Sequence, residues 1–408
     1  MVATHKPEHE IVNCDLVDDK LKNEINTELE KSGRHNFDWA ADENELALVN
    51  GQDNKANNDN KKPMFLFGFR DLVWTNIVWL TILHVIFVWA FIYTLLEPIK
   101  FFTVVWGGLL SVGTALGLSV GNHRLWAHRT FQAKPLLRFF LLCLQTATMN
   151  GSVISFARDH RNHHKWSGTH ADPKNPDRGF FYAHIGWWLL RKRPEVIEYG
   201  KKIPIDDMLE EKMLVFQHRY YLPLMFLSAF IIPVGVPILI WNEHPFISLG
   251  SSVIRILLVL HHFFAINSFA HFYGHHPYNR YQKPTENQII NWISMGEGHH
   301  NYHHTFPFDY CNSEFYWWEK YSPASLFIEV CILLRLASKP KKPSKALIRK
   351  VGEAKGKPEY FAMIDKRSLP KRIAIGLFDW LAGMFVTQWP LWIGLVFKVI
   401  DGRPTIVF

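Results

Sequence analysis

The sequence predicts an all-α integral membrane protein. Four transmembrane helices form two hairpins, and a cytosolic helical cap holds a histidine-rich metal site. Three observations carry this. Four apolar runs are each about as long as the roughly 20 residues a bilayer requires. The turns inside each pair of runs, Glu97-Pro98-Ile99-Lys100 and Asn242-Glu243-His244-Pro245, are so short that the paired runs must be antiparallel. The three histidine clusters follow the second and fourth runs, so an even number of crossings puts them all on one side.

Composition agrees with this division. The chain is 48% hydrophobic and 15% aromatic, yet its mean hydropathy is only −0.05. Apolar blocks must therefore alternate with very polar ones. The net charge of +8 is the excess expected of a positive-inside topology. The basic residues flank apolar spans and no nucleic-acid module is visible, which excludes nucleic acid as a partner. Cys14, Cys143, Cys311 and Cys331 make no C-x-x-C pair, so neither a disulfide framework nor a zinc-thiolate site is expected.

Residues 1–62 read as a flexible polar tail, too poor in apolar residues to order themselves, with no cleavable apolar core. A core domain of membrane spans and cytosolic segments, 63–345, follows as one unit, with spans expected at 72–96, 101–121, 220–241 and 247–270. Lys61, Lys62 and Arg70 flank the first span and make that side, and with it the histidines, cytosolic. Leu136 to Met149 is apolar but bounded by Arg138 and Asn150-Gly151, which suits a surface or supporting helix rather than a crossing. Phe180 to Leu190 is aromatic and amphipathic, hence interfacial. Residues 346–408 form an extension whose apolar stretch 373–397 contains Asp379, Gln388 and Pro390. A surface-lying amphipathic helix pair and a fifth insertion are both open for it.

The chemistry lies in the histidine spacing. His160, His163 and His164 fall at i, i+3 and i+4 and share one helix face; His300, His303 and His304 repeat that comb. His123 and His128 are i, i+5, which suits a helix end that unwinds on leaving the membrane. Asn267 and His271 sit i, i+4 at the same end of the fourth span. A single histidine is most often a hydrogen-bonded core residue. Nine at one membrane depth with ligand spacing are a metal site, and nine exceed the needs of one ion. His261 and His262 lie deeper in the fourth span and, as imidazoles inside a membrane segment, invite a functional reading. His299 falls about 100° around the helix from His300 and reads as a packing or outer residue. His170, His184, His275 and His276 read the same way.

These motifs resemble the membrane-bound fatty acid desaturases, most closely the animal acyl-CoA Δ9 type. The residues that carry the resemblance are His123-Arg124-Leu125-Trp126-Ala127-His128, then Ala157 to Lys165, Thr169 to Pro173, and Gly296 to His304. The resemblance implies a di-iron site. One iron would be held by His123, His164, His271, His300 and His304, the other by His128, His160, His163 and His303, with Asn267 acting through water. It implies a cis double bond inserted into a saturated long-chain acyl-CoA. O2 is consumed, and electrons come from cytochrome b5 and its NADH-dependent reductase. It also implies a multi-pass protein of the endoplasmic reticulum membrane with both termini and the active site cytosolic. Arg158, Asp159, Arg191 and Lys192 match positions near the CoA headgroup, whose phosphates suit Arg and Lys. Ser111 and Ala115, two to three turns from His123, would leave the tunnel floor open for a long chain. Asn150 to Phe156 departs from the family's Gln-Asn-x-x-x-Glu-Trp pattern, at positions that line the acyl tunnel and headgroup entrance. Hydroxylation or another regiochemistry fits the same ligand spacing. A metal transporter or sensor would need polar residues through the depth of the spans.

Overall fold

The computed structural model describes residues 69–387 and 406–407. The expected tail, 1–62, and residues 388–397 of the last apolar stretch lie outside the described residues. Among the described residues, four helices are long and apolar enough to cross a membrane: α1 (Trp74–Leu96), α2 (Phe101–Ala127), α5 (Tyr221–Trp241) and α6 (Pro245–Phe272). Most of α1 faces outward, with Val78, Val85, Val88 and Ile92 exposed as lipid-facing residues would be. Its inner stripe, Leu80, Leu83 and Ala90, packs on α6. There Gly250 permits close approach, since a Cβ on it would stand 2.8 Å from the Ala90 Cβ. α6 is the central staff, in contact with α1, α2 and α5.

The two hairpin turns meet at the end of the bundle away from the histidines. Buried Glu243 accepts from the Lys100 backbone N–H at 3.0 Å and from the Thr103 hydroxyl. Lys100 Nζ donates to the carbonyls of Trp241 and Asn242 at 2.7 and 2.9 Å. Beside this knot, β1 (Ile99–Lys100) pairs in parallel with β4 (Ile406–Val407). For the C-terminal end this differs from the expectation that both termini lie with the histidines; the N-terminus lies outside the described residues. Backbone hydrogen bonds hold residues 406–407 at the opposite end of the bundle.

The cap is built from short helices around the histidine end. α3 (Pro135–Thr146) is not a crossing: its 12 residues span only about 18 Å. Leu137, Leu141 and Leu142 pack under α2, while Leu136, Phe139 and Phe140 stay exposed. α4 (Val153–Lys165) starts at Ser152, whose hydroxyl caps the Ser155 N–H. After α6 come α7 (Gln288–Ile293), α8 (His300–Thr305) and α9 (Pro323–Leu333). A two-stranded antiparallel pair, β2 (Gln132–Ala133) with β3 (Ala337–Ser338), ties the end of α9 back to α3. α10 (Lys345–Lys355) and α11 (Pro358–Asp365) then pack on Tyr278, Tyr302 and Phe306.

α12 (Leu369–Thr387) takes up the first part of the last apolar stretch. It is amphipathic. Leu377, Phe378, Leu381 and Phe385 are exposed, whereas Gly376, Asp379 and Gly383 face the cap. Asp379, which looks like a flaw in an apolar run, is its dock: the carboxylate accepts from Gln288 Nε2, Trp292 Nε1 and the Tyr321 N–H at 2.7–2.8 Å.

The β1–β4 pairing makes a topology prediction. Single cysteines placed after Phe408 and in the Asn242–His244 turn should react with an impermeant thiol reagent from the same side of sealed vesicles. A cysteine at Lys345 should react only from the other side. Labelling of the Phe408 and Lys345 positions together would refute the placement of β4.

Candidate metal centre

Nine histidines converge where α2, α4, α6 and α8 meet, and all nine are buried. The i, i+5 pair is accommodated by widening, not by unwinding. Gly117–Ala127 closes α2 with π-helical turns, and the His128 N–H bonds the His123 carbonyl at 3.0 Å. In an i→i+5 turn, residues five apart stack, so His123 and His128 face the same way. The two combs form as expected: α4 carries His160, His163 and His164, and α8 carries His300, His303 and His304. A left-handed bend precedes each, at Met149 and Gly151 before α4 and at Met295 and Gly296 before α8. Gly296 is required there. Its φ is +99°, and a Cβ would meet Ser322 Oγ at 2.6 Å.

The ligand nitrogens fall into two adjoining sets, each within 4.8 Å of one another. One holds His123, His128, His160, His164 and His303; the other holds His163, His271, His300 and His304. Nε2 atoms face each other in the pairs His128–His160, His303–His164, His123–His303, His300–His271 and His304–His300, at 2.8–3.2 Å. His164 and His304 stack across the boundary with ring centres 4.1 Å apart. This grouping differs from the implied division at three residues: His123 and His164 join the five, and His163 joins the four.

Donor chemistry fits a metal. Burial first, and crowding by neighbouring imidazoles second, push His160, His164, His300, His303 and His304 well below their ordinary pKa. They are therefore neutral, with lone pairs available to a cation. Outer partners fix their tautomers. His163 donates from Nδ1 to Asp172 at 2.8 Å, and its buried Nε2 has no hydrogen-bond partner. His123 Nδ1 lies 3.1 Å from Glu297 Oε2, and His303 Nδ1 bonds Asn312 Oδ1 at 3.2 Å. Asn312 also donates to Glu297 at 2.7 Å, while Arg124 and Ser119 bond its other oxygen. Burial would raise the Glu297 carboxyl, but Arg124 and His123 beside it reverse that and hold it well below the usual range. A carboxylate behind a ligating imidazole is the usual way such rings are oriented.

Other expected residues have these places. Asn267 is buried beside His271, with its Oδ1 3.4 Å from the Lys174 ammonium. The spacing did not point to Lys174, a single lysine in a turn-rich loop. It is buried between the Phe156 and Trp187 rings, and burial pushes its pKa down to about 8. His299 bonds Glu286 at 2.6 Å and stands outside both sets, and His170 sits 3.2 Å from Arg193. His275 pairs with Glu286 through the backbone, and His276 lies 3.2 Å from the Lys283 carbonyl. His261 uses both nitrogens in a chain: His84 Nε2 lies 3.1 Å from its Nε2, and His184 Nε2 lies 3.0 Å from its Nδ1. None of these three belongs to either ligand set. Lys192 pairs with Asp159, and Arg158 lies 3.8 Å from it. Arg191 instead donates to the Arg70 carbonyl at 2.9 Å. Ser111 bonds back to Gly107, and Ala115 is buried. In the departing segment, Gly151 at φ +78° donates to the Tyr221 hydroxyl at 3.0 Å, and Phe156 stacks on His160.

Comparison with known proteins gives a consistent picture. A family model described as "Fatty acid desaturase" matches residues 100–319. Stearoyl-CoA desaturase 2 of Rattus norvegicus is 43% identical over 279 residues, 68% of this chain and 77% of the relative. Stearoyl-CoA desaturase 2 of Mus musculus is 40% identical over 320 residues, 78% of this chain and 86% of the relative. The Homo sapiens stearoyl-CoA desaturase is 41% identical over 283 residues, 68% and 77% respectively.

The Asp172–His163 bond can be tested without any assay of activity. Asp172→Ala should weaken metal retention by about 10–100-fold, measured by chelator competition and elemental analysis of the purified protein. Wild-type retention in that variant would remove Asp172 from the support of the site.

Proposed function

We propose a function from a firm premise: this chain belongs to the fatty acid desaturase family. It is an oxidoreductase, an acyl-CoA desaturase. The reaction we assign is insertion of a cis Δ9 double bond into a saturated long-chain acyl-CoA of the stearoyl-CoA type. O2 is consumed, and cytochrome b5 with its NADH-dependent reductase supplies electrons. The setting is the endoplasmic reticulum membrane, with the histidines on the cytosolic side. The observation that carries the reading is the gathering of nine buried imidazoles at one end of four membrane-spanning helices.

Two iron ions are the proposed cofactor. His128, His160 and His303 would serve one and His271, His300 and His304 the other under either division; His123, His163 and His164 are the three that the two divisions assign differently. Iron in this donor set supplies the redox chemistry that removal of hydrogen from an unactivated carbon chain requires.

The protein's own residues do the rest. Asp172, Glu297 and Asn312 keep the imidazoles aimed. Burial of all nine excludes water from the reacting region. Arg158 and Lys192, around Asp159 on the open side of α4, offer cations to the CoA phosphates, with Arg191 adjacent in the chain. α2 carries Ser111 and Ala115 below the site, where small side chains leave room for the end of the acyl chain. Metal transport is not favoured, because the ligand sets gather at one end rather than along the bundle.

Three measurements check this. Expression in yeast lacking its own Δ9 desaturase should restore growth without added unsaturated fatty acid, and His163→Ala should abolish the rescue. Double-bond localisation by mass spectrometry should place the bond at C9; hydroxylated product would support the rival chemistry. Ser111→Trp should shift products toward shorter chains, and an unchanged chain-length profile would show that α2 does not form the tunnel floor.

A further inference from the structure

We infer that a groove between α9 and α12 binds an acyl chain of an anionic bilayer phospholipid, whose phosphate meets the basic residues leading into α12. The groove lies outside both ligand sets. Its volume is about 470 Å3, within the usual range of ligand sites. Trp317, Trp318 and Leu326 line it from the cap, and Ile373, Leu377 and Trp380 line it from α12. Two of the indoles spend their polar atoms elsewhere. Trp317 Nε1 donates to Glu329 at 2.8 Å, and Trp380 Nε1 donates to the Trp317 carbonyl at 2.6 Å. Ring faces and aliphatic side chains are left as the walls, so the matching ligand is hydrocarbon.

The fold puts this groove where lipid is at hand. α12 packs on α7, and Ile290 of α7 packs on Ala265, Ile266 and Ala270 in the last two turns of the spanning helix α6. α12 therefore runs beside the point where α6 leaves the membrane. Its outward residues Phe378, Leu381, Met384 and Phe385 are exposed and apolar, like the outward residues of α1. Its one carboxylate, Asp379, is buried against the cap. A helix with such a face lies in the membrane boundary. Ile373 and Leu377 belong to both surfaces, because they line the groove and are also exposed. The groove thus opens onto the lipid-facing side of α12.

Charge selects the headgroup. Residues 365–372 carry Lys366, Arg367, Lys371 and Arg372 against one acid, Asp365. Arg372 marks the mouth of the groove. Its guanidinium lies 5.3 Å from the Trp318 ring centre, and its Nε donates to Glu319 at 2.6 Å. Setting Arg372 against Glu319 and one more cation against Asp365 still leaves a cationic excess. Cations at one end of an apolar groove suit a lipid held at two points, the phosphate at the surface and the chain in the groove.

The test uses the full chain in phosphatidylcholine nanodiscs doped with phosphatidylserine that carries a photoactivatable diazirine in its acyl chain. Adducts formed on illumination are located by peptide mass spectrometry. Labels are expected on Trp317, Trp318 and Leu326, and also on α1, which reports general lipid contact. Leu326→Trp fills the groove from the cap side and leaves the outer face of α12 as it is. It should lower labelling of Trp317 and Trp318 about ten-fold, while labels on Phe378 and Phe385 persist. Lys366→Glu/Lys371→Glu leaves every groove-lining residue in place, so it tests the headgroup even if Leu326→Trp fails to fold. It should lower groove labelling by the serine lipid, with the difference shrinking as salt is added. Wild-type groove residues left unlabelled beside a labelled α1 would overturn the site, because another segment or protein would then cover it. Unchanged labelling of Trp317 and Trp318 in folded Leu326→Trp would overturn it too. Equal groove labelling by the same probe built on phosphatidylcholine would overturn the anionic headgroup.

Discussion

Nine imidazoles are buried side by side, and burial with crowding pushes His160, His164, His300, His303 and His304 well below their ordinary pKa. Each added proton would meet both a dry surround and the neighbouring rings. The rest of the site follows from that constraint. Neutral imidazole needs one nitrogen occupied as a donor, and Asp172 and Asn312 accept from His163 and His303 on the side away from the cluster. The other nitrogen is then free to turn inward. The carboxylate at Glu297 is itself secured by Arg124, Ser119 and Asn312. The spanning bundle supplies His271 and the π-helical end of α2, and the cap supplies the two combs. No single element builds the site.

What could be read in advance was whatever repeats. Four apolar runs and two i, i+3, i+4 combs are periodic patterns, and the structure contains both. The i, i+5 spacing of His123 and His128 was visible as an anomaly, but its cause was not, because a widened turn and an unwound one leave the same spacing. The supporting residues were illegible for a different reason. Asn312 meets His123 and His303 only after α8 and the following turns have formed, and Lys174 reaches Asn267 across 93 positions. Neither contact has a period. A two-residue strand such as β4 has none either, so the position of the C-terminal end had to come from its hydrogen bonds. Asp379 was legible as an interruption of an apolar run; that it docks α12 emerges only with Gln288, Trp292 and Tyr321 beside it.

The two ends of the bundle are built on opposite principles. At the far end, Glu243 and Lys100 bind backbone groups of both turns, so a few charged contacts hold four helices in register. At the histidine end, charge is kept out of the ligand sets and shape is set by short helices, left-handed bends and glycine contacts. The rigid end positions the spans, and the elaborate end uses that position. Basic residues of α10 and α11 lie exposed over α8, at the histidine end but outside the ligand sets.

The π-helical end of α2 has a consequence for how the sequence can vary. A π turn is an α turn holding one residue more. The four residues between His123 and His128 thus act as a spacer whose count sets how the two rings face. Removing any one of them would restore ordinary winding and swing everything upstream by about 100° relative to His128. Content matters there too: the Arg124 guanidinium holds Glu297, and Leu125, Trp126 and Ala127 are buried in the core.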